Sequence, residues 1–123
     1  MKYLIMVYGN PESRAMWEAM PEADRYAGLR GHAELTERLA ASGELIVSEA
    51  LADPSRATRV QVSEGRTMPT DGPFAEVKEH LAGFYLVECA SRERAVEYAA
   101  QVPEAALGLV EVRPVVELGE LAG

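Results

Sequence analysis

Two stretches of this chain, Tyr3–Tyr8 (YLIMVY) and Leu81–Cys89 (LAGFYLVEC), are apolar on both of the faces that a strand presents. Successive side chains of a strand point to opposite sides. In the first stretch Tyr3, Ile5 and Val7 therefore share one face, and Leu4, Met6 and Tyr8 share the other. Strands of this kind belong inside a sheet that is covered on both sides. The fold must supply two covers, and the remaining sequence determines where they come from.

Gly9-Asn10-Pro11 ends the first strand, and Glu12–Met20 reads as a short helical turn. Pro21 suits the start of the main helix, where its missing N–H costs nothing. Tyr26, Leu29, Ala33, Thr36 and Ala40 then recur at helical spacing and predict its buried stripe. Gly28 and Gly31 each weaken this helix by about 1 kcal/mol relative to alanine, so they are expected to mark close packing. Gly43 is expected to end the helix as a left-handed cap. Glu44–Leu51 is the second strand, Asp53-Pro54-Ser55 a turn, and Thr58–Ser63 with Arg66–Thr70 a hairpin around Glu64-Gly65. After the Leu81–Cys89 strand, Ser91 caps a second helix with Ala95, Val96, Ala99 and Val102 inside, and Pro103 stops it. Leu109–Leu118 is the last strand, with Val110, Val112, Val116 and Leu118 on one face and Glu111 and Arg113 on the other. Pro114 cannot donate to a ladder and belongs at an edge or a bulge.

The order is strand, helix, strand, hairpin, strand, helix, strand. This predicts an α+β fold of the ferredoxin-like βαββαβ type with an inserted β-hairpin. Two helices cover one face of a four-stranded sheet and leave the other as a large apolar patch. A second copy packed sheet against sheet is the simplest cover, so a homodimer with a dimeric α+β barrel is expected. The 123 residues suit a single domain, placed at residues 1–118 with a short tail at 119–123.

Charge narrows the partners. Twelve Lys and Arg stand against 20 Asp and Glu, a formal charge of −8. That balance argues against nucleic acid, which needs a basic patch, yet leaves room for a small anion held by one or two arginines. The single cysteine, Cys89, makes no intramolecular disulfide and suits a reducing cytoplasm. Six apolar residues in MKYLIMVYGN are too few for a signal-peptide core or a membrane span, so a cytoplasmic protein without membrane contact is expected. No phosphate loop, CxxC pair or nucleophile elbow is present. His32 and His80 lack a metal-ligand spacing, so neither a metal nor a cofactor is expected.

Three segments carry a family resemblance: TDGPFAEVKEHLAGFYLVE at Thr70–Glu88, ERAVEYAAQVPEA at Glu93–Ala105 and GLVEVRPV at Gly108–Val115. KYLIMVYG and SGELIVSEAL fit as well. The chain resembles DGPF-domain proteins within the YCII-related family. The resemblance implies a ferredoxin-like subunit, a dimeric α+β barrel and a bacterial, cytoplasmic setting, but no settled activity. Some relatives are regarded as enzymes with a His–Asp pair in a cleft. Others are encoded beside, or fused to, extracytoplasmic-function sigma factors.

The candidate residues follow. Asp71, before Gly72-Pro73, is either a turn-former that accepts a backbone N–H or a general acid or base. His32, in LRGHAELTERLAASGEL, is either a half-buried structural residue or the proton carrier that an imidazole is suited to be. It is also the position that best matches the histidine of the wider family. Glu76 and Lys78 form either a solvated face or a substrate-binding pair. Arg113 is either the neutralising partner of Glu111 or a clamp for a carboxylate. Phe74 lines any cleft beside the hairpin. The leading expectation is a small dimeric protein whose cleft binds a small anionic or aromatic molecule, acting as a lyase- or isomerase-like enzyme by proton transfer. The alternative is a non-catalytic interaction module working with a sigma factor.

Overall fold

A computed structural model describes residues Met1–Gly123. It is a mixed α+β structure of three α-helices and two antiparallel sheets. The strands are β1 (Lys2–Gly9), β2 (Leu45–Ala50), β3 (Thr58–Ser63), β4 (Arg66–Asp71), β5 (His80–Glu88) and β6 (Val110–Pro114). The helices are α1 (Pro11–Ala19), α2 (Glu22–Ser42) and α3 (Arg92–Ala99). Four strands form the main sheet in the order β2-β5-β1-β6, and each neighbouring pair is antiparallel. The two doubly apolar strands, β1 and β5, are its centre. No helix is long and apolar enough to cross a membrane.

Register assigns the faces. Tyr3 pairs with Val87, Ile5 with Tyr85 and Val7 with Gly83, so these residues share one face. That face packs on Leu35 and Leu39 of α2 and on Ala95, Tyr98 and Ala99 of α3, and together they form the buried core. Leu4, Met6, Phe84 and Leu86 occupy the opposite face. Arg113 and Glu111 flank it, in register with Leu4 and Met6.

Local chemistry sets the element ends. Asn10 Oδ1 accepts from the Ser13 N–H at 2.8 Å, while the Asn10 N–H donates to Ser13 Oγ at 2.9 Å. This reciprocal pair starts α1, which runs for nine residues rather than the single turn expected. The Arg25 guanidinium donates to the Met20 carbonyl at 3.1 Å and ties α1 to the first turn of α2. Gly43, with φ of 79°, ends α2 as expected. Ser91 Oγ caps α3 by accepting from the Arg94 N–H at 3.2 Å.

The buried stripe of α2 is rotated about the helix axis from the expected one, whereas Ala95, Ala99 and Val102 are buried as expected and the α3 stripe differs at one position. In α2 the buried residues are Leu35 and Leu39, whereas Tyr26 and Leu29 are exposed. The two leucines set the phase because they bury more apolar area than the alanines of the expected stripe. In α3, Tyr98 is buried and Val96 is exposed. The Tyr98 hydroxyl gains partners in Ser42 and Glu44 that Val96 has no means to use. The final strand is also shorter than expected: β6 stops at Pro114, on an edge of the sheet, and Leu118–Ala122 is a 3-10 turn. The hairpin matches its sequence signals. Glu64 and Gly65 both have positive φ, 51° and 74°, as a tight two-residue turn requires.

Candidate functional site

A cavity of about 660 Å³ has a size suited to a small organic molecule. It lies between α1, α2 and the helix-side face of β2 and β5, on the side of the sheet that the helices cover. Its apolar wall includes Met16 and Trp17 of α1, Leu29 of α2 and Leu51, which follows β2. One of its walls is built around His32.

His32 stands in α2, three residues before Leu35, so it faces the sheet beside the core stripe. Its Nδ1 lies 2.5 Å from the Tyr85 hydroxyl of β5. Its Nε2 lies 2.5 Å and 2.8 Å from the two Glu104 carboxylate oxygens, in the 3-10 turn Pro103–Leu107. Both ring nitrogens are therefore engaged. Two neighbouring contacts make the arrangement possible. A side chain on Gly31 would meet Pro103 Cγ at 3.1 Å, so the glycine lets the turn settle against α2. The residues next in sequence, His32 and Glu104, then meet.

Depth separates the partners. Tyr85 is 4 % exposed, whereas the His32 and Glu104 side chains are 29 % and 26 % exposed. The phenol holds the ring from behind, and Nε2 with the carboxylate forms the open end. Burial, with the Glu104 carboxylate adding to it, pushes the Tyr85 hydroxyl up to about 12, and a hydrogen bond with Thr36 offsets part of the rise. Tyr85 thus stays protonated at neutral pH and acts as both donor and acceptor. When Nδ1 lacks a proton, Tyr85 donates to it. When Nδ1 carries one, Tyr85 accepts it.

A second polar cluster is structural. Arg94 Nη2 donates to Glu44 Oε1 at 3.1 Å, and the Tyr98 hydroxyl donates to the same oxygen. Arg94 and Tyr98 hold the Glu44 carboxyl down at about 2. The cluster fastens the start of β2 to α3 and lies outside the cavity lining.

Of the six residues singled out in the sequence, His32 alone lines the cavity. Asp71 is exposed at the end of β4, where Gly72 turns the chain with φ of 92°. Phe74 is exposed and stacks under the Arg59 guanidinium, 5.5 Å from its ring centre. Glu76 and Lys78 are exposed in the same loop. Arg113 is exposed on the face opposite the helices. Glu104 and Tyr85 carry the site with His32 and were not singled out as partners for it. A signal for Glu104 existed: it directly follows Pro103, the residue that stops the preceding helical segment, just as His32 directly follows Gly31.

The comparisons agree with the resemblance noted in the sequence. The family model of the YCII-related domain matches residues 1–119. The chain is also 33 % identical over 116 residues to the uncharacterised protein R00369 of Rhizobium meliloti (strain 1021), an alignment covering 93 % of this chain and 91 % of that one. With its sheet, its cavity and nearly its whole length inside the match, the chain belongs to the YCII-related domain family.

Proposed function

We propose that this protein holds a small, largely apolar or aromatic molecule in the cavity and moves a proton on it through the His32–Glu104 pair. The observation that carries the reading is the imidazole held between the buried Tyr85 phenol and the half-exposed Glu104 carboxylate on the cavity wall. Nε2–H donates to the Glu104 carboxylate, and Nδ1 accepts from the Tyr85 hydroxyl. The carboxylate, oriented by that N–H, takes the ligand's proton at its open edge, and in the reverse direction the carboxylic acid returns it. This is general acid–base chemistry, the kind of step a lyase or isomerase performs.

The reading extends to the assembly. The strand order β2-β5-β1-β6 with antiparallel neighbours supports a ferredoxin-like subunit with the β3–β4 hairpin as its insertion. The half-buried Leu4, Phe84 and Leu86 on the face away from the helices support a two-fold dimer of the DGPF type, sheet against sheet, in which Arg113 and Glu111 lie at the interface. Asp71, Phe74, Glu76 and Lys78 enter the chemistry only from a second copy, because none of them lines its own subunit's cavity.

The test is proton exchange. Small aromatic carbonyl compounds in D2O are followed by NMR for exchange at the carbon beside the carbonyl. The native protein is expected to accelerate exchange in at least one of them, and His32→Gln to lose about 10²–10⁴-fold of that rate with an unchanged thermal transition. Equal rates for the two proteins would remove His32 from the role.

A further inference from the structure

The charges around the cavity select its ligand, an inference that rests on the cavity's being a ligand site. The acidic residues lining the cavity are Asp24, Glu49, Asp53 and Glu104, and Arg14 is the single Lys or Arg among the lining residues. Arg14 is already paired, with its Nη2 3.4 Å from Asp53 Oδ2. The imidazole is likewise committed, to Glu104. Neither lysine of the chain, Lys2 or Lys78, lines the cavity. Asp24 makes no ion pair and no side-chain hydrogen bond.

An anion entering here meets no free cation. It also approaches a protein of formal charge −8, which repels it over distance. A protonated amine meets Asp24 and the Glu104 carboxylate. Its apolar body meets Trp17 and Met16, and an indole face attracts cations. We infer that the cavity takes a molecule with an aromatic or apolar body and a basic nitrogen, and that it discriminates against carboxylates. The anionic alternative raised by the sequence rested on Lys78 and Arg113, and both lie outside the cavity.

Trp17 is the chain's single tryptophan and lines this cavity, so its fluorescence reports on occupancy. Three probes of matched size separate charge from shape: 2-phenylethylamine, 2-phenylethanol and 3-phenylpropionate. The amine is expected to bind at least about tenfold more tightly than the carboxylate, a difference of roughly 1.4 kcal/mol, with the alcohol between them. Asp24→Asn is expected to weaken the amine several-fold and leave the alcohol unchanged. Because Asp24 is exposed, this variant keeps the fold. Equal or tighter binding of the carboxylate overturns the charge preference while leaving the cavity a ligand site. No response from any of the three, in titrations followed also by NMR shifts of the Trp17 indole N–H, overturns both.

Discussion

At the scale of single residues, two glycines shape the molecule by what they leave out. Gly31 gives Pro103 room, and through it Glu104 reaches His32. Gly83 gives room to a backbone: a Cβ there would lie 2.9 Å from the Glu49 carbonyl oxygen. No side-chain adjustment relieves that contact, because the obstacle is the neighbouring strand itself. Gly83→Ala is therefore expected to destabilise the protein by about 1–3 kcal/mol, read as a lowered Tm. The gain in strand propensity from alanine is too small to offset it. His32 was legible in the sequence as a candidate because an imidazole beside an apolar stripe has few roles. Its partners were not, because Tyr85 lies 53 residues away and Glu104 lies 72 residues away in the chain. Only the antiparallel order of β5 beside β1 and the return of the chain after α3 bring them together.

At the scale of elements, period and punctuation were readable and the phase of α2 was not. The hairpin, the cap at Gly43 and the Ser91 cap follow from local rules that depend on neighbours in sequence. The face that α2 buries depends on which side chains fill the core best, and Leu35 and Leu39 outweigh a longer stripe of smaller residues. The junction of β2 with α3 adds an electrostatic fastening with a defined pH range. Glu44 is held down at about 2 from an ordinary value of 4.5, by Arg94 first and Tyr98 second. A carboxyl whose folded value is depressed stabilises the fold above its unfolded value, and that stabilisation is lost as pH falls through the folded one. The contribution is thus full above about pH 4.5 and fades toward pH 2. Glu44→Gln is expected to lower the Tm at pH 7 and to flatten the fall between those two values. An unchanged acid limb would assign the fall to other carboxylates.

At the scale of the whole molecule, the constraint set by the doubly apolar strands is half met within one chain. Helices α2 and α3 cover one face, and Leu4, Met6, Phe84 and Leu86 hold the other. Leu86→Glu places a charge at the centre of that face. Light scattering at micromolar concentration is expected to show twice the chain mass for the native protein and a single chain mass for the variant, with secondary structure retained by circular dichroism. A native protein of single chain mass would leave that face without its proposed cover. The cavity lies on the covered side, and Leu86 is not among its lining residues. The β3–β4 hairpin stands apart from the main sheet. Its strands pair only with each other, and its base is closed where the Gly72 N–H donates to the Ala57 carbonyl at 2.7 Å. Everything beyond that clasp is free of the main sheet's register. Insertions and deletions there change the arm's reach without shifting a single core pair.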